Sequence, residues 1–132
     1  MNPAEIVAEL LDHVTLSDIV GDRIALSQLP QGEDYPYVAY HLISMTPKPV
    51  VSFATAPQMA EFRVQISPWS ETVEELIQIH NVIRNLLDFK YNVVVAGSLV
   101  VSIRMALSGP VSKDNAAGLW TQPVDYIVMY YE

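Results

Sequence analysis

The chain has 132 residues, which suits a single domain, and it contains no cysteine, so disulfide bonds and thiolate chemistry are excluded. Its formal net charge is −8, and its seven basic residues are scattered, which argues against a protein that grips nucleic-acid phosphates. Hydrophobic residues make up 51% of the chain and charged residues only 17%, so we expect apolar surface that is buried against partner subunits.

Neither a membrane-spanning segment nor an export signal is predicted. The longest apolar run, 93–101, is interrupted by Gly97 and Ser98 and falls short of the ~20 residues that a membrane helix needs. Residues 1–9 lack the basic region and the apolar core of a signal peptide. We therefore expect the protein to stay in the compartment where it is made.

The first part of the chain predicts a helix and a short strand. Asn2 suits a helix cap, Pro3 the first helical position, and Glu5 the acid of a capping box. The apolar residues that follow at helical spacing are Ile6, Val7, Leu10, Leu11 and Val14. Residues 15–21 predict a turn, with or without a short helical piece that carries Ile19 and Val20, and 24–26 predict a short strand.

The middle of the chain predicts two strands and a second helix. Aromatic and β-branched residues favour a strand over 37–43, and alternation of apolar and polar residues favours another over 61–66. A proline-rich loop over 45–57 separates the two strands. Thr72 and Glu75 form a capping box at the start of the helix. Its apolar side is made by Val73, Leu76, Ile77, His80, Ile83, Leu86 and Leu87.

The last part predicts two more strands, 99–107 and 124–131, with a loop between them. The order α, β, β, β, α, β, β predicts one α+β domain over residues 1–132. Its sheet is mainly antiparallel, with four to five strands and two helices packed on one face. Because 124–131 ends almost at the last residue, we expect it to be an accessible edge strand that can pair with a neighbouring chain.

The sequence offers no arrangement typical of catalysis. His13, His41 and His80 lie on different predicted elements without metal-ligand spacing, so each is interpreted as a structural polar residue. The acidic pairs 33–34 and 74–75 are typical of solvated faces, although a carboxylate at a subunit contact can hold a magnesium ion weakly. A Gly-rich phosphate loop and a nucleophile elbow are both missing. We predict no enzymatic activity, no catalytic residue, no cofactor and no metal site.

Five residues are predicted to contact partner subunits: Arg63, Arg104, Trp120, Tyr126 and Tyr130. The two arginines lie on the polar sides of strands, where a cation either faces solvent or pairs across a subunit boundary. Trp120, late in a loop, suits a core lid or a partner anchor equally, since aromatic residues dominate interface hot spots. The tyrosines suit half-buried strands and interfaces alike, whereas Trp69 is predicted to be a core residue.

Several segments, taken in order, resemble the tail-terminator and tail-completion family of long-tailed phages, including the lambda-type terminator. In the first half these are 21–24 (Gly-Asp-Arg-Ile), 29–32 (Leu-Pro-Gln-Gly) and 35–38 (Tyr-Pro-Tyr-Val). Later come 62–66 (Phe-Arg-Val-Gln-Ile) leading through Trp69 into a Thr-capped helix, 114–120 (Asp-Asn-Ala-Ala-Gly-Leu-Trp) and 125–131 (Asp-Tyr-Ile-Val-Met-Tyr-Tyr). Residues 45–60 and 89–101 have no counterpart in this resemblance.

The resemblance implies a structural virion protein that forms a hexameric ring. Such a ring stops polymerisation of the tail tube and offers a surface to the head. The implied partners are further copies of the chain, the tail tube protein and a head-neck connector or stopper protein, with DNA passing through the pore without specific binding. The implied location is the head-proximal end of the virion tail, after assembly in the host cytoplasm.

Two other interpretations stay open at this point. The protein is a different neck protein, a head-closure stopper or an adaptor, although its two amphipathic helices favour a terminator over a small β-barrel stopper. Alternatively, it is a small α+β enzyme or ligand-binding domain, which requires a concave site with convergent titratable side chains.

Overall fold

The computed structural model of the protein describes residues 3–26, 36–48, 59–115 and 118–131. They form one mixed sheet with helices on one of its faces. In chain order the elements are α1 (Pro3–Leu11), α2 (Val14–Val20), β1 (Ile24–Leu26), β2 (Tyr37–Lys48), β3 (Met59–Ser70), α3 (Val73–Leu87), β4 (Lys90–Val95), β5 (Ser98–Ser108), β6 (Ser112–Asp114), β7 (Leu119–Thr121) and β8 (Val124–Tyr131). None of the helices in these ranges is long and apolar enough to cross a membrane.

The strand order is β1-β2-β3-β8-β5-β4, and the short β6–β7 hairpin joins the sheet because β7 pairs with β3. Only the β1–β2 pair is parallel; all other pairs are antiparallel. The predicted class, an α+β fold with a mainly antiparallel sheet, is confirmed. The predicted four to five strands and two helices are too few. The three-residue strands β6 and β7 and the seven-residue α2 are too short to show a clear period, and β4 lies in the stretch 90–95, for which no strand was predicted.

Local sequence fixes the starts of α2 and α3. The Nδ1 atom of His13 accepts a hydrogen bond from the backbone N–H of Thr15, at the start of α2. Thr72 caps α3, since its hydroxyl oxygen accepts from the Glu75 N–H at 3.2 Å. The hydroxyl of the buried Ser70 in turn donates to the Glu75 carboxylate at 2.7 Å, which ties the end of β3 to this helix. The predicted cap Asn2 lies outside the described residues.

The alternation of β3 separates the two faces of the sheet. Its even-numbered residues are buried and its odd-numbered ones are half-buried. Cross-strand pairing then puts the even-numbered residues of β8 on the buried face as well. The apolar side chains of all three helices join this face in a single core, whose helical members are Ile6, Val7, Leu11, Leu16, Val20, Ile79, Ile83 and Leu87. One sheet face is therefore covered by helices.

Two predictions about the strands need correction, one about the end of β2 and one about the position of β8. β2 continues to Lys48, beyond the predicted start of the loop at Met45, and Pro47 still pairs with Ala60. A proline is tolerated in a strand near the edge of a sheet, where its missing N–H leaves no ladder bond unmade. β8 is not an edge strand: it pairs with β3 on one side and with β5 on the other. The prediction of an accessible edge at 124–131 was wrong.

Candidate functional site

The face of the sheet opposite the helices is the most extensive candidate surface. We call it the open face. It carries the odd-numbered residues of β3 and β8, together with the residues that pair with them on β2 and β5. Because strand pairing puts partners side by side, these residues form rows that cross the sheet. The rows differ in chemistry from one end of the strands to the other.

An aromatic and polar pocket occupies one end of the open face. The rings of Tyr37 and Trp69 stack there, with centroids 6.2 Å apart, and Trp69 is half-buried, so it is a surface residue rather than the predicted core residue. The pocket encloses about 440 Å³. Its other lining residues are Ala39, His41, Gln65, Ser67, Ser112, Thr121 and Pro123. The side chains that meet here are hydroxyl, amide, imidazole and aromatic groups, which suit contact with another polypeptide.

Two arginines form the middle row of the open face. Arg63 donates from Nε to the Asp125 carboxylate at 2.7 Å; the Arg63 side chain is 34% exposed and that of Asp125 only 10%. Arg104 pairs in register with Ile127 and is exposed. Within 3–26, 36–48, 59–115 and 118–131, no ion pair or hydrogen bond satisfies its guanidinium group. Arg63 therefore pairs within the subunit, whereas the Arg104 guanidinium group has no ion pair or hydrogen bond among the described residues.

The far end of the open face is apolar. Val94 of β4 pairs with Leu99 of β5, and the two residues are 73% and 39% exposed. Tyr131 of β8 pairs with Met59 of β3 in the same region, and both are half-buried. An apolar row that reaches across several strands without cover is typical of a surface that meets another protein.

The predicted partner anchor Trp120 lies on the β6–β7 hairpin. Its ring is half-buried, it pairs in register with Ser70, and the Lys113 ammonium group lies 5.5 Å from the ring centroid. A cation over an indole ring is a favourable contact that holds the hairpin together. The remaining ring surface is accessible, so Trp120 stays a predicted interface residue.

Tyr126 and Tyr130 lie on the helix-covered face and not on the surface. They are 1% and 0% exposed, and the Tyr130 ring packs edge-on against Phe62 with centroids 5.6 Å apart. Burial, reinforced by the negative charge of Asp88 and partly opposed by Arg84, raises the pKa of the Tyr126 hydroxyl to about 12. Their prediction as partner contacts is corrected, because a contact with a neighbour requires exposed atoms.

Asp88 is a structural residue that was not predicted from the sequence. It ends α3, and its side chain is 5% exposed. Its carboxylate accepts hydrogen bonds from Arg84 Nε at 3.2 Å and from the backbone N–H groups of Phe89 and Met105, both at 3.1 Å. It therefore joins the end of α3 to the turn before β4 and to β5. The signal in the sequence was an Asp-Phe pair after a helix, where glycine is usual.

The three histidines do not come together. His13 caps α2, His41 lies exposed on the open face, and the Nε2 atom of His80 lies 2.9 Å from the carbonyl oxygen of Gln122. Burial lowers the pKa of His80, and the hydrogen bond to Gln122 partly offsets that effect. In the part of the chain that the structure describes, no three His, Asp or Glu side chains are grouped as a metal site requires.

Comparisons with known proteins place these features in a family context. The family model described as tail completion protein gp17 matches residues 4–117. A chain in the virion of a native gene transfer agent particle superposes with a TM-score of 0.72 at 12% identity, over 98% of this chain and 93% of the other. A second solved structure, whose name states no function, superposes with a TM-score of 0.53 at 14% identity, over 100% of this chain and 96% of the other. No curated protein matches the sequence. At these identities the structural likeness establishes a shared fold.

Proposed function

The chain belongs to the tail completion protein gp17 family, structural proteins of the phage virion, and from that premise we propose that it is a ring-forming tail terminator. Six copies close a ring on the end of the tail tube, stop the addition of further tube subunits, and present the opposite side of the ring to the head. The protein acts by binding alone, as neither a catalytic residue nor a cofactor is part of this role.

The observation that carries the proposal is the open face, a whole side of the sheet that no helix of the described ranges covers. It combines an apolar row at Val94 and Leu99, the exposed cation Arg104, and the aromatic pocket around Trp69. Such a mixture of apolar and polar groups is typical of an interface that a protein uses in an assembly. We assign the open face to contacts within the ring and with the tube end.

The net charge of −8 supports the same role. DNA carries a dense negative charge, and binding to it depends on contacts from Lys and Arg to phosphates. An acidic wall repels the duplex instead, so DNA passes through the pore without being held. The proposed partners are further copies of the chain, the tail tube protein and a connector or stopper of the head. The proposed location is the head-proximal end of the tail, reached after assembly in the host cytoplasm.

Termination requires the two sides of the ring to differ. The side that binds the tube has to be complementary to the exposed end of the tube. The other side must not bind a further tube subunit. A subunit whose described helices all lie on one face of the sheet has two chemically different surfaces. This asymmetry is consistent with a ring that binds a tube on one side only.

Electron microscopy of the purified protein, alone and mixed with assembled tail tubes, tests the proposal. We expect closed rings, or tubes with one capped end, and a mass by native mass spectrometry that is six times the chain mass. In a phage that lacks the gene, we expect tails of uncontrolled length that do not join heads. Normal tails in that phage contradict the proposal.

Arg104→Gln gives a residue-level test of the open face. It removes one positive charge at an exposed site, and we expect it to weaken ring formation or tube capping. Gln78→Glu is the matched control, because it changes the net charge by the same amount on the exposed side of α3. An equal effect of both variants indicates that only net charge matters and removes Arg104 from the interface.

A further inference from the structure

Phe89 is an exposed aromatic residue held in a costly backbone conformation. It follows Asp88 at the end of α3 with φ 59°, the left-handed region, where the residue after a helix is usually glycine. A side chain with a Cβ pays about 1–2 kcal/mol for this conformation. The residue is 67% exposed, so packing of its side chain within the subunit does little to compensate that cost. A strained, exposed aromatic residue is a feature that calls for a function.

The backbone around Phe89 is fixed by several hydrogen bonds. Its N–H donates to the carbonyl of Ile103 and to the Asp88 carboxylate, both at 3.1 Å. Asp88 is itself held by Arg84 and by the N–H of Met105. The Phe89 ring therefore projects from a rigid base, and little conformational entropy is lost when a partner binds it.

A groove at the other end of the strand order is large enough to receive an aromatic side chain. It lies between α1, α2 and the β1–β2 pair, and encloses about 380 Å³. Its apolar walls include Leu11, Ile24 and Tyr40, and two exposed carboxylates, Asp12 and Asp22, lie at its rim. The groove is thus apolar inside and acidic at its entrance.

We propose that Phe89 of one copy of the chain inserts into this groove of the next copy, with Lys90 facing Asp12 or Asp22. The inference rests on the proposed ring and names one of its contacts. Lys90 is the only charged residue of β4 and is exposed. A positive charge therefore lies next to Phe89, opposite the negative charges at the rim of the groove. Aromatic side chains that enter a pocket with a charged pair at its rim are typical interface hot spots.

The positions of Phe89 and of the groove in the subunit explain why the contact favours a ring. Phe89 precedes β4 and the groove adjoins β1, so the two features lie at opposite ends of the strand order. A two-fold dimer buries the same patch on both copies, whereas a contact between two different patches repeats head to tail and gives a ring when the rotation between successive copies closes. A second copy of the chain is therefore the occupant that this pair of surfaces fits.

Two cysteine pairs test the contact directly, because the chain contains no native cysteine. Chains with Lys90→Cys are mixed with chains carrying Asp12→Cys or Asp22→Cys and oxidised under the conditions of ring formation. We expect a cross-linked heterodimer with at least one of the two partners. Lys90→Cys mixed with Ile77→Cys, on the exposed side of α3, is the control for random collision.

Phe89→Ser provides the second measurement. We expect self-association to weaken by about thirty-fold, as for a hot-spot aromatic residue, while the thermal midpoint is not lowered. Ile77→Ser, which also removes an exposed apolar side chain, is the control and should assemble like the wild type. A loss of assembly with no loss of folding supports the contact.

The outcomes separate the contact from the proposed function. If wild-type rings form but neither pair cross-links above the control and Phe89→Ser assembles normally, the docking of Phe89 is wrong and the ring proposal stands. If the wild-type chain forms no rings and caps no tubes, both proposals are wrong. Cross-linking together with loss of rings in Phe89→Ser supports both.

Discussion

The carboxylate of Asp88 accepts a hydrogen bond from the backbone N–H of Met105 at 3.1 Å, across 17 positions of sequence. The pairing of β5 with β8 shifts register between Met105 and Leu107, so this stretch of β5 is irregular. The Asp88 carboxylate therefore accepts from the backbone N–H of Met105, next to this register shift. Because Asp88 also ends α3, its side chain links the helix to the sheet.

Asp88→Ala is expected to lower the free energy of unfolding by about 2 kcal/mol, because it leaves backbone donors and Arg84 without their acceptor in a largely buried site. Urea unfolding followed by circular dichroism measures the change. Asp18→Ala removes an exposed carboxylate from α2 and serves as the control, with an expected change within about 0.5 kcal/mol. An Asp88→Ala variant as stable as this control contradicts the structural role of Asp88.

Phe89→Gly is expected to raise the free energy of unfolding by about 1 kcal/mol, because glycine adopts the left-handed conformation without the Cβ penalty. The same variant should lose self-association if the ring of Phe89 docks on a neighbour. Ala96→Gly, at a second residue with φ near 50°, keeps Phe89 and should assemble normally. Thermal unfolding and analytical ultracentrifugation separate the two effects, and a Phe89→Gly variant that is less stable than the wild type refutes the argument from backbone strain.

His80 gives the stability of the fold a pH dependence with a definite sign. Its pKa is lower in the folded protein than the ordinary value of 6.5, so the unfolded chain binds the proton more tightly. The contribution of neutral His80 is fully present above pH 6.5 and is lost as the pH falls below that value towards the folded pKa. His80→Gln should flatten this part of the stability curve, measured by urea unfolding at pH 5 to 8, whereas His41→Gln removes an exposed ring as a control. If the free energy of unfolding of His80→Gln changes with pH as steeply as that of the wild type, the lowered pKa of His80 is not the cause of the pH dependence.

The strand 124–131 illustrates how far the sequence could predict the fold. Its existence and bounds follow from its composition, and β8 begins and ends where predicted. Its position between β3 and β5 does not follow from composition, because it depends on pairing with residues 58 to 72 positions away in β3 and 16 to 30 positions away in β5. The alternation of Val124, Tyr126, Val128 and Tyr130 did contain the information that the two tyrosines share one buried face, since a period of two assigns faces even when the partner strand is unknown.

The candidate site was harder to predict than the fold. Arg104 was identified from its place on the polar side of a strand, and the structure puts it on the open face. The groove at Ile24 and Tyr40 could not be predicted from the sequence, because its walls come from α1, α2 and two strands that meet only in the folded chain. Phe89 was within reach in principle: a phenylalanine directly after a helix, at a position that favours glycine, is a local anomaly.

Arg63 gives the last prediction, and here the structure changes what a charge reversal should do. The interpretation of Arg63 as a residue that pairs across a subunit boundary predicts that Arg63→Glu weakens ring closure, because the glutamate opposes an acidic neighbour. In the folded subunit, however, Arg63 lies 2.7 Å from Asp125, whose side chain is only 10% exposed. A glutamate at position 63 brings a second carboxylate to this nearly buried one, and removing one partner of such a pair leaves an uncompensated charge.

We therefore expect Arg63→Glu to lower the free energy of unfolding of the subunit itself, by about 2 kcal/mol or more, so that any loss of rings follows from loss of folding. A double-mutant cycle with Arg63→Ala and Asp125→Ala, measured by urea unfolding, isolates the energy of the pair. Arg104→Glu reverses a charge on the same open face without breaking an ion pair among the described residues, and should leave subunit stability nearly unchanged. If the two reversals destabilise the subunit equally, the Arg63–Asp125 contact contributes nothing to the fold, and Arg63 returns to the set of residues expected to bind a neighbour.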